Sequence, residues 1–252
     1  MSNIGRTFAI GDIHGCYDEL VRLIGAIEPQ ANDTLVFVGD YIDRGVNSSG
    51  VLDFIIELSS RCNVIALKGN HESMMQSAFL ERDKSIRAKW IFNWLRNGGN
   101  ETLQSYGLEL DCFDNKELLP IKVKQHLNLI NSMPTYHITD THIFVHATPR
   151  PDIEISEQDE MDLLWRREGK IDKYLGYNHI SGKTIISGHT PQANGKPRAL
   201  SDKNIIIDSG CFHTGWLTAM NIDSGEFIQA DKLGCHYERA ISQSNNQAHC
   251  LP

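Results

Sequence analysis

The chain has 252 residues, 40% of them hydrophobic, and a formal net charge of −8. This length and apolar content suit one sizeable α/β domain and exclude a globally disordered chain. The acidic balance argues against a surface that binds many nucleic-acid phosphates, so no nucleic-acid partner is expected. No apolar run approaches the roughly 20 residues of a membrane span, so no membrane partner is expected either.

The six cysteines are scattered along the chain and form no Cys-x-x-Cys pair. A chain able to build its own core has little need of a disulfide framework, so reduced thiols are expected. The first six residues lack the apolar stretch of a signal peptide. Together these features predict a cytoplasmic protein.

The first unit of the chain is a short apolar strand at residues 7–10, which Gly11 ends. Asp12 and His14 follow, and alternate residues of an extended segment point the same way. A carboxylate and an imidazole on one side suit a divalent metal ion. An ordinary turn at the end of a strand would explain the same residues. A helical pattern then covers residues 17–27.

The second unit begins with the apolar run 35–38, which predicts a buried strand that ends at Gly39. Asp40, Asp43 and Arg44 come directly afterwards. Ligands of open α/β sheets bind beyond the carboxyl ends of the strands, which places these three residues where chemistry occurs. Taken alone, a solvated turn explains them equally well.

The third unit repeats this design. A helix capped within residues 47–49 runs to about residue 58, and a strand is predicted at 63–67. Asn70 and His71 follow that strand. Alternating strands and helices predict a parallel sheet built from βαβ units. Since adjacent residues in an extended turn point apart, Asn70 and His71 are expected to have different roles.

The second half of the chain is predicted to supply a helical region and then further strands. Residues 73–132 have helical patterns, and the last long helix is expected over 116–133. Two strands end directly before His146 and His189. The remaining predictions are a hairpin at 135–145, strands at 183–187, 205–207, 216–222 and 227–230, a solvated or substrate-selecting acidic loop at 152–162, a catalytic domain over 1–230 and a polar, mobile tail over 231–252.

Potential metal ligands therefore recur at five predicted strand ends. They comprise three histidines, two to three aspartates and an asparagine, which suit two divalent cations better than one. A carboxylate can bridge two metal ions roughly 3.5–4 Å apart. Asp40 is the natural bridge, because its strand lies between those of the outer ligands. No thiolate is suitably placed, which disfavours a cysteine-rich zinc site.

The motifs GDIHG (11–15), GDYIDRG (39–45) and GNHE (69–72) resemble the three signatures of the metal-dependent phosphoprotein phosphatases, the calcineurin-like phosphoesterases. His146-Ala147 and SGHT (187–190) match the two later histidine motifs. The resemblance covers about residues 6–230 and is strongest to the bacterial and phage serine/threonine phosphatases. It implies a single-domain α/β fold with mixed β-sheets that are sandwiched together and flanked by helices.

The resemblance also implies a dinuclear metal centre. It assigns one metal ion to Asp12, His14 and Asp40, and the other to Asp40, Asn70, His146 and His189. Two divalent ions are expected, with manganese favoured and iron or zinc as alternatives. A water or hydroxide that bridges them would attack phosphorus in line, because divalent metals lower the pKa of bound water.

The catalytic roles follow from the same resemblance. His71 would protonate the leaving oxygen, and Asp43 would orient His71. The guanidinium of Arg44 and a second arginine after Trp165 would hold the phosphate oxygens. Arg167 is preferred over Arg166 for that second position. The predicted phosphate-binding set is Arg44, Arg167, Asn70 and His71.

The favoured function is a monomeric protein serine/threonine phosphatase that acts on phosphorylated proteins or peptides. The alternative is a symmetrical dinucleoside tetraphosphate hydrolase, whose relatives usually have Asp where this chain has Glu72. A non-catalytic metal-binding scaffold is disfavoured, because metal binding alone does not require His71, Asp43 or Arg44. A nuclease or phosphodiesterase is also disfavoured, since two arginines suit a terminal phosphate with three free oxygens better than a diester.

Overall fold

The structure is a computed structural model that describes residues 5–167 and 178–238. The described strands are β1 (Thr7–Ile10), β2 (Thr34–Phe37), β3 (Asn63–Ala66), β4 (Tyr136–Ile138), β5 (His142–Val145), β6 (Thr184–Ser187), β7 (Arg198–Ser201), β8 (Asn204–Ile206), β9 (Leu217–Asn221), β10 (Phe227–Ala230) and β11 (Cys235–Glu238). The described helices are α1 (Tyr17–Ile27), α2 (Ser48–Leu58), α3 (Asn70–Leu80), α4 (Lys84–Trp94), α5 (Asn100–Ser105), α6 (Ile121–Ser132), α7 (Glu160–Leu164) and α8 (Cys211–Thr214).

These strands form two mixed sheets. The first has the order β11-β10-β9-β1-β2-β3, and the second has the order β4-β5-β6-β8-β7. Within the first sheet, β1, β2 and β3 are parallel, and within the second, β5, β6 and β8 are parallel. The carboxyl ends of parallel strands lie at the same edge of a sheet, so each sheet has one edge to which several loops contribute.

The two sheets pack face to face and helices cover their outer faces. Alternate residues of a strand face opposite sides. In β2, Leu35 and Phe37 belong to the core shared with the helices, whereas Val36 belongs to the core between the sheets. Phe144 and Ile186 of the second sheet lie in that same intersheet core. Burying each such side chain contributes about 1.5–3 kcal/mol, so the sandwich is held chiefly by apolar contacts.

The structure confirms the mixed α/β architecture and corrects several local predictions. The helix expected over 116–133 begins only at Ile121, because Leu119 and Pro120 are extended and a 3-10 turn occupies Lys116–Leu118. Asn70 and His71 open α3 instead of lying in an extended turn. The acidic loop 152–162 contains a 3-10 turn and the start of α7.

Two strands were not predicted. β7 pairs with β8 along the edge of the second sheet. β11 pairs with β10 and lies within the region expected to be a mobile tail, so residues 235–238 correct that prediction. The backbone hydrogen bonds to β10 compensate for the strand's polar character. Residues 239–252 of the predicted tail lie outside the described residues. None of the described helices has the length and hydrophobicity that a bilayer span requires.

Candidate metal centre and phosphate site

The loops that follow strands of both sheets bring the predicted ligands together. Two groups of buried side chains could each hold a metal ion, with ligand atoms within 4.8 Å of one another. We call His14, Asp40 and His71 the first ligand group, and Asp40, His146 and His189 the second ligand group. Asp40 belongs to both groups. The first contains His71 where the sequence predicted Asp12.

The backbone of these loops is strained. His14, Asp40 and His189 have φ values of 47°, 54° and 64°, and Asp43 and Arg44 have 72° and 68°. Side chains other than glycine rarely adopt this left-handed region, and such residues cluster at functional sites. Apart from Glu28, every non-glycine residue with positive φ in the described part of the chain is one of the predicted site residues.

The Asp40 carboxylate lies among imidazole rings. Its Oδ2 is 3.5 Å from His14 Nε2, and its Oδ1 is 3.4 Å from His146 Nε2. Burial alone would raise the pKa of Asp40, but the neighbouring histidines, with His146 foremost, outweigh it and hold that pKa well below its usual value. Asp40 therefore remains an anionic oxygen donor.

Backbone carbonyls fix the orientation of two histidines. His14 Nδ1 donates to the Ile42 carbonyl at 2.9 Å, and His146 Nδ1 donates to the Val38 carbonyl at 2.9 Å. Burial lowers the pKa of both rings, so they are neutral. Each ring then presents the lone pair of Nε2 to the centre, which is the form that binds metal.

Asn70 completes the second ligand group. Its Oδ1 lies 2.9 Å from both His146 Nε2 and His189 Nδ1, and those two ring nitrogens are 3.2 Å apart. Burial, followed by the nearby His146, lowers the pKa of His189 to about 3. Asp40, Asn70, His146 and His189 thus converge as the sequence predicted.

Asp12 lies beside the centre but is incompletely satisfied. Its Oδ2 accepts the backbone N–H of His189 at 2.9 Å, whereas its buried Oδ1 has no hydrogen-bond partner among the described residues. Burial raises the pKa of Asp12, and the charges of Asp208 and Asp40 raise it further. A cation would relieve such a buried carboxylate, so the donors present fit a divalent metal centre. Asp208 was not predicted as a site residue.

His71 and Asp43 form a buried pair, since His71 Nδ1 lies 2.6 Å from Asp43 Oδ2. Burial alone would lower the pKa of His71, but Asp40 and the hydrogen-bonded Asp43 outweigh it and raise that pKa. Asp43 in turn accepts from Trp94 Nε1 at 2.9 Å and from Thr102 Oγ1 at 2.7 Å. Neither Trp94 nor Thr102 was predicted, because more than 50 residues separate each from Asp43.

Two arginines flank the ligand groups. Arg44 Nη1 lies 2.8 Å from His14 Nε2, and Arg44 Nη2 lies 3.0 Å from His71 Nε2. Arg167 Nε donates to His189 Nε2 at 3.2 Å. Arg166 instead donates to the carbonyls of Thr148 and Pro149 at 3.1 and 3.0 Å. Of the two candidates after Trp165, Arg167 is therefore the one beside a predicted ligand.

The Glu72 carboxylate accepts hydrogen bonds from the backbone of the loop that carries Asp40. Its Oε2 accepts the backbone N–H groups of Gly69 and Asp40 at 2.9 Å, and its Oε1 accepts that of Tyr41 at 2.9 Å. Glu72 is fully buried. Its side chain therefore positions the loop through hydrogen bonds to the backbone.

Glycines in the motifs leave room for the carboxylates. A Cβ on Gly69 would lie 2.2 Å from Asp40 Oδ1, and one on Gly188 would lie 2.0 Å from Asp12 Oδ1. Atoms cannot approach that closely, so any larger residue would displace a carboxylate. The glycines before Asn70 and His189 are thus required by the space that the site occupies.

Known proteins with similar sequences have phosphoesterase names. Residues 5–196 match the family model described as calcineurin-like phosphoesterase. The chain is 33% identical to serine/threonine-protein phosphatase 1 of Salmonella typhimurium, over 87% of this chain and 93% of that protein. It is 25% identical to the asymmetrical bis(5'-nucleosyl)-tetraphosphatase PrpE of Halalkalibacterium halodurans, over 87% of this chain and 91% of that protein.

A solved structure has the same fold. A candidate diadenosine tetraphosphatase superimposes with a TM-score of 0.63 at 21% identity, and the match covers 91% of this chain and 95% of that one. This agreement in fold, the family match over most of the chain and the two buried ligand groups all lead to one assignment. The chain belongs to the calcineurin-like phosphoesterases, a family of hydrolases with a dinuclear metal site.

Proposed function

We propose that the protein is a phosphomonoesterase that removes phosphate from phosphoserine and phosphothreonine in proteins or peptides. The observation that carries this proposal is the pair of arginines on the two ligand groups. Arg44 contacts a histidine of the first group, and Arg167 contacts one of the second. Two guanidinium forks suit a terminal phosphate, whose three free oxygens can accept hydrogen bonds from both.

The proposal assigns the metal ions to the ligands that the sequence motifs predict. The proposed ligands are Asp12, His14, Asp40, Asn70, His146 and His189. When bound, two divalent cations would lower the pKa of a coordinated water and offset the charge of the phosphate. Manganese is the proposed metal, with iron or zinc as alternatives. A monomer in the cytoplasm, without nucleic-acid or membrane partners, completes the proposal and agrees with the acidic charge.

The chain's own residues would orient the phosphate and supply a proton. Arg44, Arg167, Asn70 and His71 would bind its oxygens. His71 Nδ1 lies 2.6 Å from Asp43, and Nε2 on the other side of the ring lies 3.0 Å from Arg44 Nη2. Nε2 is therefore the atom from which a proton would pass to the leaving oxygen, and its raised pKa favours the protonated ring.

The Salmonella phosphatase, at 33% identity over most of both chains, supports a protein substrate. Glu72 binds backbone N–H groups of the loop that carries Asp40. Its identity therefore does not help to distinguish a phosphoprotein substrate from a dinucleoside tetraphosphate. Relatives named as asymmetrical dinucleoside tetraphosphatases support a second candidate, hydrolysis of dinucleoside tetraphosphates. Cleavage of diadenosine tetraphosphate to ATP and AMP would be asymmetrical, and cleavage to two ADP would be symmetrical.

The deciding experiment is to measure kcat/KM of metal-stripped protein, with and without manganese, on a phosphoserine peptide and on diadenosine tetraphosphate. Manganese-dependent phosphate release from the peptide, lost in His71→Ala, is expected. A higher kcat/KM for the dinucleotide would overturn the protein substrate and favour the second candidate. Hydrolysis that persists after all metal is removed would overturn both.

A further inference from the structure

A third group of potential ligands lies outside the dinuclear centre. Cys16, Glu19 and Cys211 have ligand atoms within 4.8 Å of one another. Cys16 precedes the first turn of α1, Glu19 lies within that turn, and Cys211 begins α8. Two distant parts of the chain thus bring two thiols and a carboxylate together, although the cysteines show no motif spacing in the sequence.

Glu19 supplies the carboxylate of this group. The residue is only 3% exposed. Among residues 5–167 and 178–238, its carboxylate forms no hydrogen bond or ion pair. A bound cation would supply the charge partner that this carboxylate lacks among those residues. Glu19 lines a cavity, so a cation from solvent can reach it.

The two thiols face the same place. Cys211 is 2% exposed and Cys16 is half-buried, and both line that cavity. The hydrogen bond with Cys16, then burial, and also the charge of Glu19 raise the pKa of Cys211. A divalent cation would reverse this effect, since it stabilises thiolates and offsets the carboxylate.

We propose that Cys16, Glu19 and Cys211 form a third cation site, selective for Zn²⁺ or a similarly thiophilic divalent ion. Two thiolates and a carboxylate are a ligand set that zinc prefers, whereas manganese favours harder donors. The cavity, of about 550 Å³, gives water access to the remaining coordination position. Binding would release the two thiol protons to solvent.

Such a site would connect the loop after β1, which carries His14 and Cys16, to the loop after β8. Cys16 lies two residues after His14, and its thiol donates to the His14 carbonyl at 3.6 Å. Cys211 follows Asp208, whose charge acts on Asp12. Zinc would therefore fasten two segments that also carry the dinuclear ligands, independently of which phosphoester the enzyme hydrolyses.

The test uses the full chain loaded with manganese and then titrated with cobalt, which reports its ligands by absorption. A thiolate-to-cobalt charge-transfer band in the near ultraviolet is expected for the wild type. The band should be absent in Cys211→Ser and Cys16→Ser and retained in the control Cys62→Ser, whose thiol is also buried. Cobalt at the dinuclear centre cannot give this band, because the proposed ligands there are nitrogen and oxygen.

Zinc stoichiometry gives an independent readout. After equilibration with zinc and removal of the excess, the wild type should retain one equivalent more per chain than Cys211→Ser. Circular dichroism would verify that each variant is folded, and Glu19→Gln offers a variant with both thiols intact and weaker zinc binding. A charge-transfer band that survives in both cysteine variants would overturn the proposal. Equal zinc content in the wild type and folded Cys211→Ser would do so as well.

Discussion

His71 and Asp43 form a 2.6 Å hydrogen bond in which neither side chain meets solvent. The carboxylate fixes the ring so that Nε2 lies 3.0 Å from the Arg44 guanidinium. This arrangement makes a specific distinction between substrates possible, because a proton donor matters most for a poor leaving group.

His71→Ala should lower kcat on a phosphoserine peptide by about 10²–10⁴-fold, the usual contribution of a general acid. On p-nitrophenyl phosphate the loss should be smaller, since nitrophenolate leaves without a proton. Steady-state kinetics on both substrates provide the measurement. Equal losses on the two substrates would mean that His71 acts on phosphate binding alone.

Trp94→Phe should weaken catalysis without removing a catalytic group. The indole Nε1 donates to Asp43 at 2.9 Å, and phenylalanine keeps most of the buried ring but has no donor. Loss of one hydrogen bond to a charged group should lower kcat on the peptide by roughly 10-fold and change KM little. Trp90→Phe, on the same helix but only half-buried, is the control and should retain wild-type kcat.

The two adjacent arginines should differ in phenotype. Arg167→Ala should raise KM and lower kcat/KM by about 10–100-fold, because a charge-assisted hydrogen bond to phosphate is worth about 1.5–3 kcal/mol. Arg166→Ala should chiefly lower the melting temperature, since Arg166 binds the Thr148 and Pro149 carbonyls. If the kinetic loss followed Arg166, the assignment of the second phosphate ligand would be reversed.

Removal of metal should destabilise the fold. Ions that bind only the folded state raise its stability by about 2.7 kcal/mol at a hundredfold excess over Kd. For a chain of this size, chelation should then lower the melting temperature by roughly 5–10 °C. Differential scanning fluorimetry with and without chelator measures this shift. Asp40→Asn is expected to reduce it, and a wild-type protein with no shift would argue against two bound ions.

Asp33 gives a pH dependence that is separate from the metal centre. Burial alone would raise its pKa, but hydrogen bonds from Arg6 and Gln30 outweigh burial and lower that pKa. A lowered folded-state pKa means that Asp33 stabilises the fold above its unfolded pKa, and that this contribution disappears as the pH falls through the folded value.

Asp33→Asn should accordingly lower the free energy of unfolding at pH 7 by about 1–3 kcal/mol. The difference from the wild type should shrink towards zero below the ordinary aspartate pKa of about 3.9. Urea unfolding at pH 7 and at a pH below about 3.9 provides the test. Asp223→Asn, at an exposed position, serves as a control and should have little effect at either pH. A difference that stayed constant with pH would assign the effect to packing.

Local patterns in the sequence were sufficient to predict much of the site. Asp40 and His189 each follow a strand and a glycine, and this order predicts their position at the edge of a sheet. The helix 17–27 has the predicted bounds because its apolar spacing and the preceding glycine agree. Local patterns of this kind predict the structure correctly because tertiary packing stabilises the same local conformation.

Contacts across the chain could not be predicted in this way. The sequence pattern around Trp94 predicts a core residue, and only the folded chain brings its indole N–H to Asp43. Asp208 acts on Asp12 from the second sheet, about 200 residues away in sequence. β11 was missed because four residues are too short a pattern to predict a strand, and it depends on pairing with β10. The misses of Trp94 and Asp208 concern partners that sequence distance conceals.

The second ligand group draws on both sheets, whereas the first ligand group comes from loops of the first sheet alone. Asp12, Asp40 and Asn70 follow strands of the first sheet, whereas His146 and His189 follow strands of the second. The affinity of the second ligand group for its ion should therefore depend on how closely the two sheets pack. Any opening of the intersheet core separates the donors before either sheet loses its own hydrogen bonds. During heating or denaturant titration, loss of activity should thus precede loss of secondary structure. Metal binding at the second ligand group therefore reports whether the two sheets are packed together.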